Sequence, residues 1–220
     1  MKLFFGLLSS LFVLLAFGAA HYIQKPARAD ELPPQSPAPM KFRIDADHSK
    51  FMVHAHRGGI LWFKGNDHFV KVGRFSGEVT VDPADANGAN LVMSIESDSL
   101  EETGAVFTAP QKATIKKELN DIVLEKDKFP QITFRSTGVT AKLENQQFNV
   151  RIRGDISLHG VTRQIEIPAT VSIEGNNLRA KGHFTLDRKK FNVKATTAGH
   201  GTVRVKHKLD FDFDILATSA

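Results

Sequence analysis

Four stretches of this 220-residue chain carry side chains whose types and spacing could do chemistry. His54 and His56 stand two apart, with Asp67 and His68 a short way downstream. Imidazoles with a carboxylate form a borderline N/O donor set that suits zinc or copper, which makes His54, His56 and His68 the candidate metal ligands. "DHS", Asp47–Ser49, contains the residue types of a hydrolase triad. Further on, a His159-Gly160 pair is followed by Arg163, and "DRKKF", Asp187–Phe191, supplies Arg188, Lys189 and Lys190. Arginine forks recognise carboxylate and phosphate oxygens, so His159, Arg163 and Arg188 are candidates for holding a polar or phosphate headgroup.

What these groups can do depends on the elements that carry them, and the dominant signal along the chain is a period of two. Phe51, Val53 and Ala55 form an apolar set, leaving Met52, His54 and His56 on the opposite face of the same strand. That face meets solvent, where histidines ordinarily stand without a metal. Three consecutive strand residues alternate faces, so Asp47, His48 and Ser49 cannot align as nucleophile, base and orienter. A G-x-S-x-G elbow is also missing from the sequence. No catalytic residue is therefore assigned, and Asp47 and Ser49 fit a turn or a strand entry.

The C-terminus shows the alternation best: Val203, Val205, His207, Leu209, Phe211, Phe213 and Ile215 on one face, lysines, an arginine and aspartates on the other. Such a strand covers a core on one side and meets water on the other. Shorter alternations occupy residues 42–44, 51–57, 69–81, 91–95, 132–139, 148–158, 162–173 and 178–186. "DPADANGAN" (Asp82–Asn90) and "EGNN" (Glu174–Asn177) read as turns, and His159-Gly160 as a hairpin tip with Gly160 at positive φ. That tip is either a turn fixed by side-chain hydrogen bonds or a polar contact at the mouth of a pore. Only Ala109–Glu125 departs from strand period. Ile115, Leu119, Ile122 and Val123, with Pro110 in the first turn, suit an amphipathic helix. "GGILWFKGN" (Gly58–Asn66) is a helical turn or a loop. About eight antiparallel strands and one helix point to a closed barrel or a sandwich. The 17 Phe against one Trp and one Tyr suit either a filled core or an apolar cavity wall that asks nothing polar of its guest.

The N-terminus stands apart. Lys2 precedes an uncharged apolar run, Leu3–Ala20, and "ARA", Ala27–Ala29, offers a small-x-small cleavage site, with another after Ala20. Residues 1–29 are expected to be a secretory signal, the alternative being an uncleaved anchor. The proline-rich stretch at 30–39 is expected to be a linker to one domain over 40–220. Removing residues 1–29 takes Lys2, Lys25 and Arg28 and none of the 24 acids. The high pI thus belongs partly to the leader, and the remaining cations are scattered among acids rather than striped. No nucleic-acid partner is expected. Without cysteine, the fold must rest on its hydrophobic core alone.

Four stretches in order carry a resemblance: "IDADHSKFMV", "VLEKDKFPQITFRST", "IRGDISLHGVTRQIEIPATV" and "GHFTLDRKKFNV". Together they resemble the YceI-like family, whose hairpin reads G-x-L-T-L/I-H-G-V-T-R/K, in a divergent branch. The resemblance implies a lipocalin-like extended antiparallel β-barrel of about eight strands, exported to the bacterial periplasm. It also implies an elongated pore for an isoprenoid, quinone-like or similar apolar lipid, no other cofactor, no catalysis, and only transient contact with the membrane. The pore would be walled by Phe51, Val53, Phe134, Ile156, Leu158, Phe184, Phe211 and Phe213, each on the more apolar face of its strand. The departures are Arg57 in place of a histidine, Asn192 in place of a glycine, and an unlike segment before and through the helix. A periplasmic metal-binding or stress-response protein using His54, His56 and His68 is the alternative expectation.

Overall fold

Alternating apolar and polar residues can satisfy both water and a core only by pairing into a sheet with one covered face. In the computed structural model, which describes residues 38–198 and 203–220, the described strands join a single sheet. They are β1 (Met40–Gly58), β2 (His68–Val72), β3 (Phe75–Asp82), β4 (Asp85–Glu96), β5 (Leu100–Glu102), β6 (Gln131–Glu144), β7 (Gln147–Leu158), β8 (Val161–Glu174), β9 (Asn177–Asp187), β10 (Thr197–Ala198) and β11 (Val203–Ser219). Eight of them close on themselves in the order β11-β9-β8-β7-β6-β4-β3-β1, and β1 pairs with β11 to complete an antiparallel barrel. The short strands β2 and β5 prolong the sheet beside β1, and β10 lies beside β11. The apolar leader and most of the proline-rich stretch lie outside the described residues. Among the described residues no helix is long and apolar enough to cross a membrane.

The expected breaks fall differently in three places, one being the alternation at 69–81, which is divided between β2 and β3. The alternations at 42–44 and 51–57 belong to one strand, β1, whose register against β11 shifts between Asp45 and Lys50. This bulge holds "DHS": Ser49 Oγ donates to the Asp45 carbonyl and accepts from the Leu216 N–H at 2.9 Å. The side chain stitches the two strands where the ladder is interrupted. "DPADANGAN" is a turn only at its start. The chain reverses between Asp82 and Asp85, and Asp85–Asn90 already belongs to β4. There Asn87 Oδ1 accepts from the Ala141 N–H at 2.9 Å, so a turn-forming residue type serves a strand instead.

The helix forms where its period placed it. Residues Ala109–Glu118 are α1, followed by a π-helical turn at Leu119–Val123. Thr108 and Gln111 form a capping box, and Pro110 sits in the first turn, where its missing N–H costs nothing. "GGILWFKGN" contains one 3-10 turn, Trp62–Lys64. The interior is hollow between packed ends. At one end Phe42 and Ala217, both fully buried, pack with Val81, Phe148 and Leu178.

Candidate functional site

Two chambers run along the barrel interior, of about 140 and 170 Å³. A water needs roughly 10–15 Å³ on this measure, and packed cores hold few voids larger than that, so these spaces are not packing defects. The chambers abut across Phe51, Ile95, Ile132, Ile156 and Phe184, which line both. Chamber one is walled by aliphatic side chains, Phe51, Phe134, Phe184 and Phe213, with Asn90 and Thr133 its polar members. Chamber two is walled by Val53, Leu158, Leu209, Phe211 and the helical segment, which contributes Ile115, Glu118, Leu119, Val123 and Leu124. Ile115, Leu119 and Val123 thus cover one end of the barrel, while Ile122 faces outward.

All eight side chains expected along a pore border these chambers: Phe134 and Phe213 the first, Val53, Leu158 and Phe211 the second, Phe51, Ile156 and Phe184 both. The aromatic rings pack on one another. Phe184 stacks on Phe211 at 4.8 Å, and Phe51 meets Phe211 and Phe213 at 6.3 Å. Glycines make room for two of the rings, since a Cβ on Gly154 or Gly182 would lie 2.4 or 2.5 Å from Phe134 or Phe213. Most of chamber one went unnamed at the level of sequence. Its aliphatic wall, including Ile44, Val79, Leu91, Met93, Ile152, Ile165 and Ile167, follows from the same strand parity.

The polar groups gather around chamber two, the chamber that the helical segment covers. His68, Arg188, Lys194 and Thr196 border chamber two. Arg188 donates to the Val193 carbonyl at 2.8 Å and to those of Val205 and Lys206 at 3.3 Å, and its burial lowers the guanidinium pKa. Asn192 closes this turn at φ 57°, a left-handed conformation that asparagine tolerates and that suits glycine, the residue the resemblance led one to expect there. Arg163 is exposed and donates to the Lys190 carbonyl. His159 and Gly160, at φ 51° and 75°, form a type I′ hairpin tip. His159 is only 8% exposed, and its ring packs on Phe129 and places Nε2 2.9 Å from Glu125 Oε2. A hydrogen bond from Lys128, and that histidine, hold the Glu125 carboxyl below its ordinary value. Of the three headgroup candidates, Arg188 is therefore the one bordering a chamber.

The three histidines expected to share a metal do not share a face. Ala55 pairs with His68 and His54 with Phe69, so His68 points into the barrel while His54 and His56 point outward. His68 instead contacts the buried Glu102 at 2.8 Å and stacks on Phe107. Glu102 also accepts from the N–H groups of Phe69 and Gly104. On the outer face Asp67 takes the third place, 3.1 Å from His54 and 3.7 Å from His56. Burial pushes the Asp67 carboxyl up, but the Arg57 N–H and His54 outweigh it and leave it below 3.8.

A closed antiparallel barrel around an apolar interior has the build of the small barrels that hold one ligand. The chain belongs to the YceI-like family, whose domain model matches residues 42–217. The crystal structure of BcnA from Burkholderia cenocepacia superposes with a TM-score of 0.62 at 20% identity, covering 80% of this chain and 99% of that one. A polyisoprenoid binding domain from Saccharophagus degradans superposes at 0.59 with 12% identity, covering 82% and 99%. A UPF0312 protein of Vibrio cholerae is 26% identical over 122 residues, 56% of this chain. The match spans 57% of that relative's length.

Proposed function

We propose that this chain is an exported binding protein that sequesters an elongated apolar molecule, an isoprenoid lipid or a quinone, and carries out no bond chemistry on it. The observation that carries this reading is the pair of abutting apolar chambers inside one closed barrel. Lining residues run along β11 from Val205 in chamber two to Ala217 in chamber one. Twelve strand steps at a tilt of 35–45° make about 30 Å along the axis, comparable with the hydrocarbon core of a bilayer. A flexible chain can lie extended there, driven by apolar burial at about 25 cal/mol per Å² against the cost of ordering it. Arg188, His68 and Lys194 at the far end would set its direction, polar head toward chamber two and tail toward Phe42. The polyisoprenoid-binding relative from Saccharophagus supports this choice of ligand class.

The test is organic extraction and mass spectrometry of protein purified from its own host. The expected finding is an isoprenoid or quinone that is lost when Phe211→Asp is made in a barrel that still folds by circular dichroism. Protein that carries no lipid and takes up none when offered would overturn the reading. Export rests on the leader at 1–29. N-terminal sequencing of the exported protein should begin at Asp30 or at His21, and an intact Met1 chain held in the membrane fraction would refute it.

A further inference from the structure

The outer wall carries a second constellation that the lipid reading leaves unused. His54 and His56 point outward from β1, Asp67 stands just before β2, and Asp210 stands on β11. We infer that His54 Nε2, His56 Nδ1 and Asp67 Oδ2 form a binding site for a divalent first-row transition ion such as zinc.

The donor spacing is the first argument. The three donor atoms lie within 4.8 Å of one another. Asp67 Oδ2 is 3.1 Å from His54 Nε2 and 3.7 Å from His56 Nδ1. Metal–ligand bonds of 2.0–2.1 Å at tetrahedral angles put donors about 3.3 Å apart, and the two contacts bracket that edge. Two imidazoles and one carboxylate, with a position left for water, is the donor set of an open zinc site. All three side chains are partly exposed, so solvent can supply the remaining ligand.

The groups behind the ligands are the second argument. His56 Nε2 sits 2.7 Å from Asp210 Oδ2, a carboxylate–histidine pair of the kind that orients a metal-bound imidazole. With Nε2 held against Asp210, Nδ1 is the ring nitrogen left facing Asp67 Oδ2, at 3.7 Å, too far for a hydrogen bond and close to the donor–donor edge of a tetrahedral metal site. Asp67 is aimed in turn by the Arg57 N–H, 2.9 Å from its other oxygen. The His54 ring is held flat against Phe69, with centroids 4.4 Å apart. The site therefore joins β1 to the start of β2 and, through Asp210, to β11. It lies on the other side of the wall from chamber two, so it does not depend on the chambers holding lipid.

Zinc titrated calorimetrically into chelator-treated full-length protein should bind at one equivalent and raise the thermal midpoint with the logarithm of free zinc above Kd. Asp210→Asn should weaken binding about 10- to 100-fold, the effect of losing a partner behind a ligand, and His54→Gln, His56→Gln and Asp67→Asn should each weaken it more. His48→Gln, an exposed histidine paired with Asp45, should leave it unchanged. A footprint on the unmutated protein serves if a variant fails to fold: zinc should protect His54 and His56, and not His48 or His183, from acylation by diethylpyrocarbonate. Absent one-equivalent binding, binding that survives all three ligand substitutions, or protection spread evenly over the histidines would each overturn the site.

Discussion

Replacing Phe211 and Phe42 with alanine, one at a time, separates a cavity wall from a packed core. Phe42 is fully buried, borders neither chamber and packs with Val81, Phe148 and Leu178. Its truncation opens a void in close-packed surroundings, which costs about 3–5 kcal/mol. Phe211 is less buried, since one side of its ring already faces chamber two. Truncation there enlarges an existing space and forfeits chiefly the stacking on Phe184 and the contact with Phe51. We expect a loss of about 2 kcal/mol, roughly half the full penalty. Affinity should move the other way. If a lipid chain lies on the Phe211 ring, removing that face costs about 1–2 kcal/mol of apolar contact, or about 5- to 30-fold in Kd. Urea unfolding gives the stability of lipid-free protein, and competition with a fluorescent polyprenyl probe gives the affinity. Phe211→Ala that costs as much stability as Phe42→Ala and leaves probe binding unchanged would mean that chamber two is a core and not a site.

Two further outcomes follow from the wall and the outer face. Gly182→Ala should cost about 1–3 kcal/mol in the same unfolding assay, because its Cβ would sit 2.4 Å from the Pro168 carbonyl and 2.5 Å from Phe213. Gly138→Ala, with open space around it, should be near neutral, and equal effects would refute the close-approach argument. Acid should destabilise the barrel as pH falls below about 4. Hydrogen bonds from Arg179 hold Asp214 below 3.8, and those from Thr185 and His56 do the same for Asp210. A carboxyl depressed in the folded state contributes stability above its unfolded pKa and loses it as pH drops through the folded one. Asp214→Asn should flatten the fall in urea midpoint between pH 7 and 3, and an unchanged slope would count against the pair.

The barrel was legible because each strand writes its inner face in every second residue. Parity alone set Phe51, Val53, Phe184, Phe211 and Phe213 against the interior. It failed where the backbone leaves the period. The bulge at Asp45–Lys50 made one strand look like two, since one unpaired stretch shifts the alternation while the chain stays extended. Turn-prone "ANGAN" hid the first half of β4, whose Asn87 bonds across to β6 rather than to its own backbone alone. His68 was grouped with His54 and His56 by proximity along the chain, and only the β1–β2 register reveals that it faces the other way. Asp210 was visible on the polar face of the last strand, but nothing local ties it to His56, 154 residues earlier.

The seam between β1 and β11 joins the two barrel strands most distant in sequence. Phe51 pairs with Phe213 and Val53 with Phe211, so this pairing carries the largest loop-closure cost in the barrel. Contacts this distant are expected to form late, which would leave the sheet from β1 through β9 waiting as an open ribbon with two unpaired edges. During that wait the apolar inner faces would be wet and adhesive. Residues 203–219 then act as a closing stave. A lipid already lying along the ribbon when that stave arrives would be enclosed without ever threading through a mouth, which makes loading and folding a single event.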